Sequence, residues 1–207
     1  MKVPVNNSQV FRLTHYMKKR KFKISDIIFV VFILLLIIPQ TRTPIQVAVN
    51  KLKVAIWSPR IEDEEDQNQV IPFQYAVIDL KGKTESISVG KGKVTFISYW
   101  ATWCPPCIAE LPGIQDLYKD YRDKVNFILL TQEEPEKVQR FIDKRGYELP
   151  IYFPQMLAPD VLQENSIPTN YVIDATGKII IKETGAADWN SKKIRNLLDA
   201  LVSNYSD

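Results

Sequence analysis

The chain has 207 residues, 45% of them hydrophobic and 25% charged, the make-up of a globular protein with room for one domain of ordinary size plus extra segments. Its formal net charge of +3 hides a division: seven of the 27 basic residues and no acidic one fall within residues 1–23, so the remainder carries 20 basic against 24 acidic residues. The basic excess is a property of the tail, and no nucleic-acid partner is expected.

Directly after that tail, Ile27 to Ile38 is an uninterrupted run of twelve apolar residues, flanked by Asp26 and by Pro39-Gln40. A basic cluster followed by an apolar run fits a signal-peptide core or a membrane anchor oriented with its positive end inside. Length favours the first, because a spanning helix wants about 20 residues. However, Phe22, Ile24 and the snorkelling stems of Lys21 and Lys23 extend the run, and Val47-Ala48-Val49 is a weak and distant cleavage site. The expectation is a cytoplasmic basic tail over 1–22 and a single uncleaved transmembrane anchor over 23–40. The catalytic part then lies outside the cytoplasm, in the periplasm or beyond, where disulfides persist.

Thr43-Pro44 suits a helix start, and Ile45, Ala48, Val49, Leu52, Ala55 and Ile56 recur at helical spacing. A short amphipathic helix is expected over 44–57, lying on the bilayer or a partner, or packing on its own domain. Glu62 to Asp66 and Gln67-Asn68-Gln69 then read as a solvated linker. That makes 41–69 a juxtamembrane segment and puts a domain boundary near Val70.

From residue 70 strands, turns and helices alternate. Phe73–Leu80 and Thr84–Val89 read as a hairpin around Lys81-Gly82-Lys83. Val94–Tyr99 and Val125–Leu130 are apolar enough for central strands buried on both faces. Between them, Ile108, Leu111, Gln115, Tyr118 and Tyr121 give a helix to about Arg122, adjusted at Pro112. A helix over Glu134–Arg145 faces Val138, Phe141 and Ile142 inward and stops at Gly146. There follow a short strand at Ile151–Phe153, a brief helix at Pro159–Glu164, and a hairpin of Tyr171–Asp174 with Lys178–Lys182. A last helix is marked by Ile194, Leu197, Leu198, Leu201 and Val202. The fold class is α/β, a mixed sheet with helices on both faces.

Both cysteines of the chain sit in Trp103-Cys104-Pro105-Pro106-Cys107, just after the strand Val94–Tyr99. A structural zinc site needs about four N/S ligands, and the chain offers these two cysteines and one distant histidine, His15. No metal is expected, and with no glycine-rich phosphate loop no other cofactor either. A purely structural disulfide closing so short a loop would contribute only about 2 kcal/mol, so a dithiol/disulfide redox pair is the simpler reading. Placed at the N-cap of the next helix, Cys104 has its thiolate stabilised by the positive end of the helix dipole. It is the expected nucleophile, with Cys107 one turn on to resolve the mixed disulfide. Pro105 and Pro106 fall in the first turn, where a missing N–H costs nothing. Glu110, three residues after Cys107, either moves the proton Cys107 must lose or serves as an exposed first-turn acid.

Trp-Cys-Pro-Pro-Cys with Glu110 and Pro112, together with Ser166-Ile167-Pro168-Thr169-Asn170-Tyr171 and the following residues to Ile179, resembles the thioredoxin-like family of membrane-tethered TlpA/ResA proteins over residues 70–207. The resemblance implies a thioredoxin-like fold with an N-terminal β-hairpin extension, and thiol-disulfide exchange with extracytoplasmic protein substrates. It implies Cys104 as attacking thiol, Cys107 as resolving thiol and Glu110 as the active-site glutamate. It implies Pro168 as a cis proline and Ile167 as the residue whose backbone pairs with substrate, with Trp103 and Pro105 also on the substrate side. Ser98 falls where cytoplasmic thioredoxins carry a buried aspartate, so the resemblance implies that the role of that acid is absent or passes to Glu110. The resemblance favours a protein-disulfide reductase recharged by a membrane electron-donor thiol protein and acting on apocytochrome c or other secreted proteins. A disulfide oxidase or isomerase, a peroxiredoxin-like peroxidase and a non-catalytic anchored binding module are the alternatives.

Overall fold

The apolar runs Val94–Tyr99 (β3) and Val125–Leu130 (β4) pair in parallel at the middle of a seven-stranded sheet, with Phe96 opposite Phe127 and Ser98 opposite Leu129. Both are buried along almost their whole length, as parallel strands covered on both faces must be. The computed structural model describes residues 23–204 apart from Asp66. The basic tail expected over 1–22 lies outside the described residues.

Around this centre the sheet runs β2-β1-β5-β4-β3-β6-β7. The remaining strands are β1 (Phe73–Asp79), β2 (Thr84–Val89), β5 (Ile151–Pro154), β6 (Thr169–Ile173) and β7 (Ile179–Thr184). Only β3·β4 and β4·β5 are parallel; β6 lies antiparallel to β3 and β7 antiparallel to β6. The domain helices are α3 (Pro105–Tyr121), α4 (Pro135–Arg145) and α5 (Lys192–Ser203). Alternation along the strands divides the core. Phe96, Phe127, Leu129 and Val172 pack with Leu111, Ile114, Val138, Ile194 and Leu198 of the three helices. Ile97, Ile128, Leu130 and Tyr171 face the other way, onto Leu162 and Ala158. The brief helix expected at Pro159–Glu164 contracts to one 3-10 turn, Asp160–Leu162, on that side. Pro112 sits inside α3 without ending it, and Gly146, with φ of 65°, closes α4 in the left-handed conformation only glycine adopts cheaply.

The chain divides into two units, residues 1–42 and 43–207. In the first, the apolar run forms α1 (Ile24–Ile37), started by Asp26 accepting from the Lys23 N–H. At 14 residues it is about 21 Å long, short of the about 30 Å of a hydrocarbon core. Among the described residues no single helix is long and apolar enough to cross a membrane; α1 and α2 (Pro39–Ile56) reach that length and composition only as a broken pair.

The helix expected over 44–57 begins at Pro39, five residues earlier, and encloses Pro44. A proline at the first position starts it, and Pro44 then removes one backbone donor without stopping it. In the acidic stretch expected as a solvated linker Asp63, Glu64 and Glu65 are exposed, and the chain around them also takes backbone partners. Trp57 to Val70 is laid along the far side of β7, where Glu62 donates its N–H to the Ile180 carbonyl, Gln69 bridges Lys178, and Val70 donates to Gly177. The cause is the edge strand: β7 would otherwise present unpaired backbone groups, and this segment takes them up.

Gly177 shows how tight the crossing is. Its φ is +94°, and a Cβ there would lie 2.5 Å from the Val70 carbonyl oxygen and 2.8 Å from Gln69 Nε2. Gly177→Ala is therefore expected to destabilise the domain by about 1–3 kcal/mol, read as a lower denaturant midpoint with unchanged slope. An unchanged midpoint would mean that the 69–70 segment is not held against this turn.

Candidate active site

Strand β3 ends at Tyr99, and the chain turns through Trp100, Ala101, Thr102 and Trp103 before α3 begins at Pro105. Glu133, just beyond β4, fixes this turn: its carboxylate accepts from the Thr102 N–H (2.5 Å) and the Thr102 hydroxyl (2.9 Å), and it also pairs with Lys137. Burial alone would raise the Glu133 pKa, but these donors outweigh it and hold the carboxyl below its ordinary range. The turn delivers Cys104 to the N-cap of α3, where its sulfur accepts the Cys107 N–H at 3.3 Å. Pro105 and Pro106, both half-buried, occupy the first turn as the sequence predicts.

Cys104 and Cys107 are joined as a disulfide, with Cα atoms 5.3 Å apart. Both are buried, Cys104 with 2% exposure and Cys107 with none. Trp103, 62% exposed, stands beside them. It lines a cavity of 1070 Å³ whose wall also includes Trp100, Ala101, Met156, Leu157 and Ile167. Trp103 and Ile167, both assigned to the substrate side by resemblance, thus meet at one groove. Pro168 is buried and follows a cis peptide bond from Ile167.

Glu110 is buried, with 1% exposure, and so is not the exposed first-turn acid that complements a dipole. It sits one turn after Cys107 on the face of α3 turned to the sheet. One carboxylate oxygen accepts from Asn170 Nδ2 at 2.9 Å; the other accepts from Trp189 Nε1 at 3.2 Å and from the Ala187 N–H at 3.3 Å. Burial pushes its pKa up to about 8 even though all three donors favour the charged form, and Glu183 adds to the rise. A carboxyl group with such a pKa exchanges its proton near neutrality.

Asn170 and Trp189 were not legible as site residues from the sequence. The sequence carries a signal for Asn170: it is an amide directly before the apolar run Tyr171-Val172-Ile173, two residues past Pro168. Trp189 lies in a loop with no periodicity to betray it. Ser98, which replaces the expected aspartate, is fully buried directly opposite Asn170 in the β3·β6 register. The Ser98 hydroxyl and the Asn170 carbonyl oxygen have no hydrogen-bond partner among the described residues. No group of His, Cys, Asp and Glu able to hold a metal occurs among the described residues.

This geometry has relatives. The chain is similar to a thiol-disulfide oxidoreductase ResA of Halalkalibacterium halodurans, 34% identical over 114 residues that make up 54% of this chain and 65% of the relative. It is similar to the thioredoxin-like protein YneN of Bacillus subtilis, 29% identical over 129 residues, 60% of this chain and 75% of the relative. The chain spans just under two thirds of the length of the ResA relatives, 65% and 63% in two of them. The crystal structure of a DsbF homologue from Corynebacterium diphtheriae shares the fold, with a TM-score of 0.50 and 19% identity over 70% of this chain and 92% of that one. The AhpC/TSA family matches residues 67–182, more than half the chain and the whole stretch from the β1·β2 hairpin through the cysteine pair, Glu110 and Pro168, and the chain belongs to that family.

Proposed function

We propose that this protein is an extracytoplasmic thiol-disulfide oxidoreductase that reduces disulfides in other proteins, tethered by its N-terminal apolar segment. The observation that carries the reading is the disulfide pair at the start of α3, with the buried carboxyl of Glu110 one turn further along the helix and the neighbouring Trp103 on the wall of a groove. In the reduced protein the Cys104 thiolate attacks a substrate disulfide and expels one substrate thiolate, leaving a mixed disulfide. The Cys107 thiol gives its proton to the Glu110 carboxylate. It then attacks Cys104 Sγ, releasing the second substrate thiolate and closing the Cys104–Cys107 disulfide. Two electrons pass to the substrate. Trp103, Pro105, Ile167 and Pro168 hold the substrate segment, Ile167 through its backbone.

Substrates of this class are secreted proteins with accessible disulfides, apocytochrome c among them. The oxidised pair is recharged by a membrane electron-donor thiol protein, and no bound cofactor takes part. The test is the reduction potential of the full chain in detergent. Dithiol proteins of this general type span about −270 to −120 mV. A value near the low end, with reduction of insulin disulfides, supports a reductase; a value near the high end, with oxidation of dithiol substrates, replaces it with an oxidase.

A further inference from the structure

Helix α2 turns its apolar stripe the wrong way for a helix that packs on its own domain. Ile45, Val49, Leu52 and Ile56 fall on one line at helical spacing, and they are 40%, 64%, 68% and 80% exposed. The opposite side, Gln46, Val47, Asn50 and Val54, is the half-buried one. The charged residues of the helix are all exposed cations, Arg42 and Lys53 on one flank of the stripe and Lys51 beyond Ala48 and Ala55 on the other, with no acidic residue between Asp26 and Glu62. Helix α2 itself starts two residues after the apolar α1 ends. At its C-terminal end Trp57 is half exposed, with Lys53 Nζ 5.9 Å from its ring centre.

We infer that α2 lies in the surface of an anionic bilayer, its Ile45–Ile56 stripe among the acyl chains and Arg42, Lys51 and Lys53 on the lipid headgroups. An outward apolar face with cationic margins is the pattern of an interfacial helix, and continuity with an apolar segment that already enters the membrane selects lipid over another protein. The inference rests on the anchoring part of the proposed function. Its consequence reaches the active site. Trp57 Nε1 donates to Glu183 at 3.1 Å and the Asp188 N–H donates to the Trp57 carbonyl at 2.7 Å. Glu183 is on β7, in register with Asn170 of β6. A helix held flat on lipid therefore fixes the tilt of the sheet that carries the Glu110 partner and Pro168, instead of leaving the domain free to swivel on a tether.

The test uses the full chain with both active-site cysteines replaced by serine and a polarity-sensitive fluorophore at Val49→Cys, mixed with phosphatidylcholine vesicles with or without phosphatidylglycerol. A second sample carries the label at the exposed hairpin position Lys81→Cys. The expected result is co-flotation in both lipids, and with phosphatidylglycerol a blue shift and quenching by lipid-borne quencher at position 49 but not at 81. Lys51→Gln/Lys53→Gln lowers that insertion equilibrium about 25-fold, about 1 kcal/mol for each lysine. Co-flotation with the position-49 label still in water, or insertion indifferent to lipid charge, overturns the inference and leaves the anchor standing. A chain that does not float at all overturns the anchor as well. Shielding without lipid, together with Val49→Cys cross-links between copies, assigns the stripe to a second copy of the chain and overturns the inference too.

Discussion

Cys104→Ser is expected to bring thiol-disulfide exchange down to the uncatalysed background in an insulin-reduction assay, while Cys107→Ser stops the reaction one step later and traps substrate on Cys104. The asymmetry follows from position. Cys104 is the N-cap residue of the 17-residue α3, where the helix dipole and the Cys107 N–H favour its thiolate. It also keeps the only exposure of the pair, whereas Cys107 has none. With Cys104 as the attacking thiol, deleting it leaves a thiol that cannot begin the reaction. With Cys107→Ser the attack still occurs, but nothing displaces the substrate, so a reducible adduct accumulates on non-reducing gels. Activity surviving Cys104→Ser would refute the proposed function and favour the binding module whose cysteines are only a staple. An adduct forming on Cys107 would reverse the order of attack.

What the sequence declares and what it conceals divides along physical lines. β3 and β4 coincide residue for residue with the apolar runs read as central strands, because a strand buried on both faces must be apolar throughout. The C-terminal end of α4 is equally plain, since Gly146 is a chemical stop signal. The acidic composition of 62–69 correctly reports solvated side chains, but the backbone bonds that Glu62, Asn68 and Val70 make to the edge of β7 answer a need written in another part of the chain. At the site, the cysteines and Glu110 announce themselves by spacing along one helix. The environment of Glu110 does not: Asn170, Ala187 and Trp189 are 60, 77 and 79 residues away in sequence, and only the fold brings them to its carboxylate. Spacing left two roles for Glu110, and burial removed the surface one.

Glu110→Gln is expected to keep the fold and slow the resolving step by about 100-fold, the lower range for loss of a positioned proton acceptor. The wild-type carboxyl, with its pKa pushed up to about 8 by burial, gains charge as pH rises through neutrality, so turnover should climb over that range; in the glutamine variant the limb disappears. Stability moves the opposite way. The folded pKa lies above the ordinary 4.5, so between those values the folded state holds a proton the unfolded state has lost. Wild-type stability is then greatest below pH 4.5 as far as this group is concerned, and falls as pH rises to about 8, where the loss is complete. Glutamine, which does not titrate, flattens that slope. Its packing is satisfiable: the amide oxygen accepts from Trp189 and Ala187, and its NH2 donates to the Asn170 carbonyl oxygen once that amide turns over. A protonated Glu110 calls for the same turned Asn170 amide, which gives the partnerless Asn170 carbonyl oxygen a donor in one of the two protonation states. Chemical denaturation across pH and stopped-flow oxidation of the dithiol read the two effects separately. Loss of activity with an unchanged stability slope would place the titrating group elsewhere, and unchanged kinetics with a flattened slope would leave Glu110 a buried structural acid with no part in proton transfer.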